Sequence, residues 1–236
     1  MIGTLLKFAV IALVTIPVAL LEIVLSFVDR SGASFHAVGR LWSWMILRLY
    51  GIRVSLEGGE HLNPSEKYIY VSNHASMFDI PAVLLGIPDQ IRIVMKKELT
   101  RIPFFGWAMA LGPYIVIDRF HAKDAARSLD QAAERMRNGA SVLLFAEGTR
   151  TLDGKLQAFK RGAFALASKS GVPIIPVAIN NTFRILPKGS RIVRPAHITL
   201  VLGRPIPTQG ISGKQAEMKL MEEVHQAIAK NYVDQS

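Results

Sequence analysis

The pairing best suited to chemistry in this sequence is His74 with Asp79, five positions apart in the stretch SNHASMFDIP at 72–81. An imidazole held by a carboxylate can act as a general base, because the acid fixes the ring's tautomer and stabilises the charge the ring gains with a proton. On a continuous helix, residues five apart point about 140° away from each other, so the two side chains meet only if the chain bends between them. Pro81 suits the first turn of a helix, which makes Asp79 a natural N-cap and leaves 75–78 as the bend. The residues alone leave two readings open. One is a catalytic pair; the other is a polar turn in which Asp79 caps a helix and His74 bonds a nearby backbone group.

A second constellation is FAEGTR at 145–150. A glycine turn directly after an apolar run brings Glu147, Gly148, Thr149 and Arg150 together. A hydroxyl, backbone N–H groups and a guanidinium are then available to an oxyanion such as phosphate. The alternative is a plain turn with Glu147 and Arg150 paired at the surface. Lys96 opens KKEL, just ahead of PFFGW at 103–107, and adds cations at a third place; a solvated charge cluster before a hydrophobic turn explains it equally well.

These residues need elements to carry them. Short β-rich runs at 68–73, 91–95, 114–118, 142–146, 174–179 and 197–203 alternate with helical stretches at 122–139, 159–171 and 212–232. That alternation predicts an α/β fold, a mixed sheet covered by helices. Ligands of open α/β sheets collect beyond the strand ends, and the loops SNHASMFD, DRFHAK and EGTRTLDG each follow one of these runs.

Half of the 236 residues are hydrophobic, yet the formal net charge is +10, so an anionic partner is expected. No cysteine is present, which excludes disulfides, thiolate metal sites and cysteine-linked acyl intermediates. No ribonucleoprotein, zinc-finger or helix-turn-helix signature accompanies the charge, so nucleic acid is not the expected partner. The partner expected instead is an anionic membrane surface, because the stretch at 8–27 is apolar over about the length of a bilayer core, with one charge at Glu22. Pro17 and Glu22 favour a helix dipping into one leaflet over a full span. The segment 35–51 adds Trp42, Trp44 and Tyr50, with Arg40 and Arg48 near one face, the pattern of interfacial aromatics and snorkelling arginines. Residues 1–50 are therefore read as an N-terminal two-helix membrane-associating element, monotopic or peripheral at the cytoplasmic face, and 51–236 as the catalytic domain. A cleaved signal peptide is disfavoured, since only Lys7 charges the leading end and no small-residue cleavage site follows. A Gly-x-Ser-x-Gly elbow and a Walker loop are both lacking, which sets aside serine hydrolases and nucleotide-dependent kinases.

Taken in order, NHASMFD, GPYIVIDR, FAEGTR and VPIIPVAI closely resemble the four sequence blocks of the glycerolipid acyltransferase family, in particular the 1-acylglycerol-3-phosphate acyltransferases. The resemblance covers about 68–205 and implies a membrane-bound enzyme with a His-x4-Asp motif. Such an enzyme moves a fatty acyl chain from an acyl thioester, acyl-CoA or acyl carrier protein, to the sn-2 hydroxyl of lysophosphatidic acid, with the thioester as co-substrate and neither cofactor nor metal. It further implies that His74 is the general base and Asp79 its orienting partner. The acceptor phosphate is then bound by Glu147, Gly148, Thr149 and Arg150 with Lys96 beside them. Gly112 and 117–119, with Arg119, resemble the acceptor-associated block, and 172–179, with Pro173 and Pro176, the acyl-side wall. Two positions depart from the pattern: Ala146 stands where many relatives have proline, and Thr151 where serine is usual. A different lysolipid acceptor, a thioesterase using water, and a basic lipid-binding protein without chemistry remain as alternatives.

Overall fold

The computed structural model describes residues 2–118, 130, 132–134 and 140–233. Two helices come first, α1 (Ile2–Val28) and α2 (Ala33–Leu49). The strands are β1 (Arg53–Glu57), β2 (Ile69–Ser72), β3 (Ile91–Lys96), β4 (Ile115–Ile117), β5 (Ser141–Phe145), β6 (Ile174–Asn180) and β7 (His197–Leu202). Between and after them lie α3 (Asp79–Gly86), α4 (Phe105–Leu111), α5 (Gly162–Ser170), the single turn α6 (Thr182–Ile185) and α7 (Lys214–Asn231). The expected α/β class and mixed sheet are observed. Two differences are β1, which sequence periodicity passed over, and α4, which replaces the expected hydrophobic turn. The expected helix at 122–139 falls almost wholly outside the described residues.

The described strands form one seven-stranded sheet in the order β1-β7-β6-β2-β5-β3-β4. Every neighbouring pair is parallel except β6 with β7. The central strands are buried on both faces, as a sheet covered by helices requires. Tyr70, Leu143, Ile175, Val177 and Ile179 face a core shared with α2 and α3, while Ile69, Val71, Val142, Leu144 and Ile174 face a second core under α5 and α7. This is the period-2 alternation of extended chain. One physical edge of the sheet therefore collects the C-terminal ends of β6, β2, β5, β3 and β4.

α1 and α2 are not a detached unit, since Ala19, Phe35, Ile46, Leu47 and Tyr50 belong to the same buried cluster as the sheet. The outer side of α1 is different. Ala9–Val28 has mean hydropathy 2.5 and is long and apolar enough to cross a membrane, with Leu13, Leu20, Val24 and Phe27 all exposed. Glu22, expected to burden the lipid-facing side, is instead buried in a small cavity lined by Gly39, Trp42 and Tyr114. Its carboxylate thus no longer argues against immersion of the helix.

The aromatic and arginine pattern on α2 also needs revision. Arg40 Nη1 donates to the carbonyls of Leu84 and Ile87 at 2.8 and 3.1 Å, where it satisfies the C-terminal end of α3. Tyr50 is buried edge-on against Phe78, and Trp42 Nε1 donates to Thr15 Oγ1 at 2.9 Å. Trp44 and Arg48 alone of that set are exposed.

Candidate active site

β2 and β5 are parallel neighbours with Ser72 opposite Phe145, so the loops that leave them start side by side. Asn73 extends the ladder on the other flank. Its Nδ2 donates to Ile179 O at 3.0 Å, and its Oδ1 accepts from Ile179 N–H at 2.7 Å, a side-chain amide replacing one residue of strand. The chain that leads into His74 is thereby fixed against β6. The block at 172–179, expected to shape an acyl-side wall, is chiefly this wholly buried central strand.

His74 and Asp79 do meet, with His74 Nδ1 2.7 Å from Asp79 Oδ2. The same carboxylate oxygen accepts from the N–H groups of Ala75 at 2.8 Å and Ser76 at 2.9 Å. Because all three neighbours converge on one acceptor oxygen, Nδ1 is the donor to it, which in the neutral ring leaves the lone pair on Nε2. Asp79 is not the helix cap expected from sequence. It is the first residue of α3, and its carboxylate points back into the preceding bend, holding the bend's backbone donors as well as the ring. Asp79 is fully buried, whereas 18% of the His74 side chain stays accessible. Beneath the ring lies Phe145, stacked at 4.0 Å between centroids with the planes 22° apart.

The turn after β5 is joined to the same loop by two bonds in opposite senses. His74 N–H donates to Glu147 Oε1 at 2.8 Å, and Thr151 N–H donates to His74 O at 2.9 Å. Gly148 adopts φ +73°, a left-handed conformation open to glycine, and its N–H closes the turn on Phe145 O at 3.0 Å. Glu147 is 3% exposed, which rules out the surface pair with Arg150. Its place among the phosphate-binding residues is revised too, because its carboxylate is committed to the His74 backbone. Burial pushes Glu147 up to about 8, assisted by the nearby Asp79 charge and opposed by the backbone donors of His74 and Gln157.

Thr149 and Arg150 are half-buried beyond the glycine. Lys96 ends β3 as an exposed residue, and continuing the β3–β5 register places it level with Ala146, at the start of the turn. Arg119 lies outside the described residues. Gly112 precedes β4 and so sits at the opposite edge of the sheet. A Cβ there would come within 2.5 Å of the Phe35 ring, so its role is close packing of α4 against α2. Sequence reasoning missed Asn73, Ser76 and Lys188. Ser76 Oγ donates to Leu186 O at 2.9 Å, and Lys188 Nζ donates to Thr149 Oγ1 at 3.2 Å. No group of three or more potential metal-ligating side chains occurs among the described residues.

A partly accessible imidazole tied through Nδ1 to a buried carboxylate, with a cationic turn at its side, can in its neutral form take a proton at Nε2 from a hydroxyl whose parent molecule carries an anionic group. Comparison with known proteins agrees with that chemistry. A family profile described as Acyltransferase matches residues 53–180, and the chain belongs to this acyltransferase family. It is similar to the 1-acyl-sn-glycerol-3-phosphate acyltransferases of Chlamydomonas reinhardtii (32% identity over 89% of this chain and 61% of that protein) and Pseudomonas aeruginosa (36% over 71% and 64%). The human 1-acyl-sn-glycerol-3-phosphate acyltransferase alpha is 34% identical over 73% of this chain and 62% of its own length. The chain thus spans roughly three fifths of these curated relatives. The crystal structure of the 1-acyl-sn-glycerophosphate (LPA) acyltransferase PlsC from Thermotoga maritima superposes with a TM-score of 0.81 at 27% identity, covering 98% of this chain and 95% of that one.

Proposed function

We propose that this protein transfers a fatty acyl group from an acyl thioester, acyl-CoA or acyl carrier protein, to the sn-2 hydroxyl of lysophosphatidic acid, giving phosphatidic acid for phospholipid synthesis. The observation that carries the proposal is the His74–Asp79 pair at 2.7 Å, joined through His74's own backbone to the Glu147–Thr151 turn. The base and the anion-binding groups are then one rigid unit, so holding the acceptor phosphate also places its hydroxyl.

In the reaction, the acceptor oxygen attacks the thioester carbonyl carbon while His74 Nε2 takes the hydroxyl proton. A free imidazole, with pKa about 6.5, is far too weak to deprotonate an alcohol beforehand, so proton transfer accompanies attack. The tetrahedral intermediate collapses with loss of the C–S bond, and the proton on Nε2 passes to the departing sulfur, giving a free thiol and an oxygen ester. Asp79 stabilises the imidazolium between these steps. Arg150, Thr149 and Lys96, with Arg119, hold the acceptor phosphate. Glu147 acts one step removed, by fixing the His74 backbone.

The exposed apolar face of α1 supports a reaction carried out at a membrane surface. Each methylene drawn from lipid into water costs about 0.8 kcal/mol, so a soluble enzyme would have to extract its acceptor at great expense. Residues 1–50 act as a monotopic anchor on the anionic cytoplasmic face, with the net charge of +10 adding electrostatic attraction. The test is product analysis with lysophosphatidic acid and an acyl thioester. Phosphatidic acid supports the proposal, whereas free fatty acid as the only acyl product identifies a thioesterase and rejects it.

A further inference from the structure

The segment after β6 has no part in the reaction as described, yet it closes a further side of the site. Two residues apart on one loop, Leu186 O accepts from Ser76 Oγ at 2.9 Å and Lys188 Nζ donates to Thr149 Oγ1 at 3.2 Å. Leu186 and Ser76 are buried while Lys188 is exposed, so the backbone is anchored in the protein and the ammonium rides at the rim. The loop thereby touches both the bend that carries His74 and the turn that carries Arg150.

The Lys188–Thr149 contact has a directional consequence. A hydroxyl has one proton and two lone pairs, whereas an ammonium has three protons and no lone pair. Once Thr149 Oγ1 accepts from Lys188, its own proton is directed elsewhere, and polarisation by the cation makes it a better donor. Two N–H groups of Lys188 remain to be used. Among the described residues Thr149 is the polar partner of Lys188, and no carboxylate pairs with it. A cation with no carboxylate partner among the described residues, spending one proton on orienting a hydroxyl, suits an incoming oxyanion.

We propose that Lys188 is a positioning residue for the acceptor's phosphate: it sets Thr149 as a donor toward that group and contributes charge on the flank opposite Lys96. The identity of the ligand as a lysophospholipid rests on the acyltransferase reading, but phosphate recognition is testable without it. The test compares wild type with Lys188→Met, Lys188→Arg, Thr149→Val and the Met/Val double variant. Glycerol 3-phosphate binding is measured by calorimetry, and turnover is followed with lysophosphatidic acid and with monoacylglycerol, which lacks the phosphate. Lys188→Met is expected to weaken glycerol 3-phosphate binding and raise KM for lysophosphatidic acid by about fivefold, the upper end for one charge contact at an exposed site. The kcat for lysophosphatidic acid and the rate with monoacylglycerol should barely change, Lys188→Arg should recover most of the affinity, and the double variant should be no worse than the weaker single one. Undiminished glycerol 3-phosphate binding by a folded Lys188→Met protein overturns the proposal, as does a wild type that does not bind this probe. Lys188-dependent binding by a wild type that releases no thiol would reject the enzymatic reading and leave this site standing.

Discussion

Replacing Asp79 by asparagine separates charge from geometry at the centre of the site. Asp79 Oδ2 accepts from the His74 ring and from two backbone N–H groups, at 2.7, 2.8 and 2.9 Å, and the residue is fully buried. An asparagine oxygen can take all three donors in place, so the bend survives, but the negative charge opposite the forming imidazolium is lost. For charge centres about 4 Å apart at an effective dielectric near 20, that attraction is about 4 kcal/mol, or roughly a thousandfold in rate at about 1.4 kcal/mol per decade. Because 18% of the His74 side chain is accessible, solvent screening reduces this, and a fall in kcat of about a hundred- to a thousandfold is expected. Thiol release from an acyl thioester, followed with a thiol reagent, gives kcat and KM together, and a chain without cysteine adds no background of its own. KM for lysophosphatidic acid should stay near wild type. Asp79→Ala should in addition lower the melting temperature, since two buried N–H groups lose their acceptor at about 1–3 kcal/mol each. An Asp79→Asn enzyme within about threefold of wild-type kcat, or one whose defect lies in KM, would refute the reasoning.

Other consequences follow from the buried Glu147 and the exposed apolar side of α1. Glu147 is raised from 4.5 to about 8 in the folded protein, so between those values the unfolded chain loses a proton that the native state keeps. The stability this provides is complete below about pH 4.5 and declines as pH rises through about 8, at about 1.4 kcal/mol per pH unit over which the two states differ. Chemical denaturation of Glu147→Gln from pH 5 to 8 should show this decline removed, and a slope equal to that of wild type would contradict the assignment. On α1, Leu13→Glu with Val24→Glu places two charges on the outer face, each worth about 2.5 kcal/mol against immersion near the hydrocarbon centre. Sedimentation with anionic vesicles should drop more than tenfold while activity on detergent-dispersed acceptor persists; unchanged sedimentation would show that this face does not enter lipid.

The parts of the fold legible from sequence were those governed by local periodicity. The central strands read as short apolar runs because both of their faces are buried, and Gly171 at the end of α5 takes the left-handed conformation expected of a helix stop. β1 was not legible, because an edge strand reading Arg-Val-Ser-Leu-Glu is only partly buried and carries charge at both ends. Strand order was beyond local patterning as well. That β2 lies between β5 and β6 is what brings His74 beside Glu147, yet those segments are separated by some seventy residues of chain.

At the site, His74 and Asp79 were visible as chemistry but not as geometry. The proline signal located the helix start within a residue, while the direction of the carboxylate depended on two backbone donors that no sequence pattern announces. From sequence Glu147 reads either as part of a phosphate-binding turn or as a surface partner of Arg150, since charged residues in turns are commonly exposed. It is buried because the turn folds its carboxylate beneath the His74 loop. Glu22 and Arg40 were misread for a related reason, since an amphipathic pattern does not tell a lipid-facing charge from one turned toward another helix. Lys188 left no signal at all, being one of several basic residues in a long loop, distinguished only by the hydroxyl it meets.

The most direct test of the account is the His74→Ala protein, assayed in parallel with wild type for thiol released and phosphatidic acid formed. Wild type should produce the two in equal amounts, and the variant should bind glycerol 3-phosphate normally yet make neither product above background. Phosphatidic acid formed by His74→Ala at near the wild-type rate would place the base elsewhere and contradict the account.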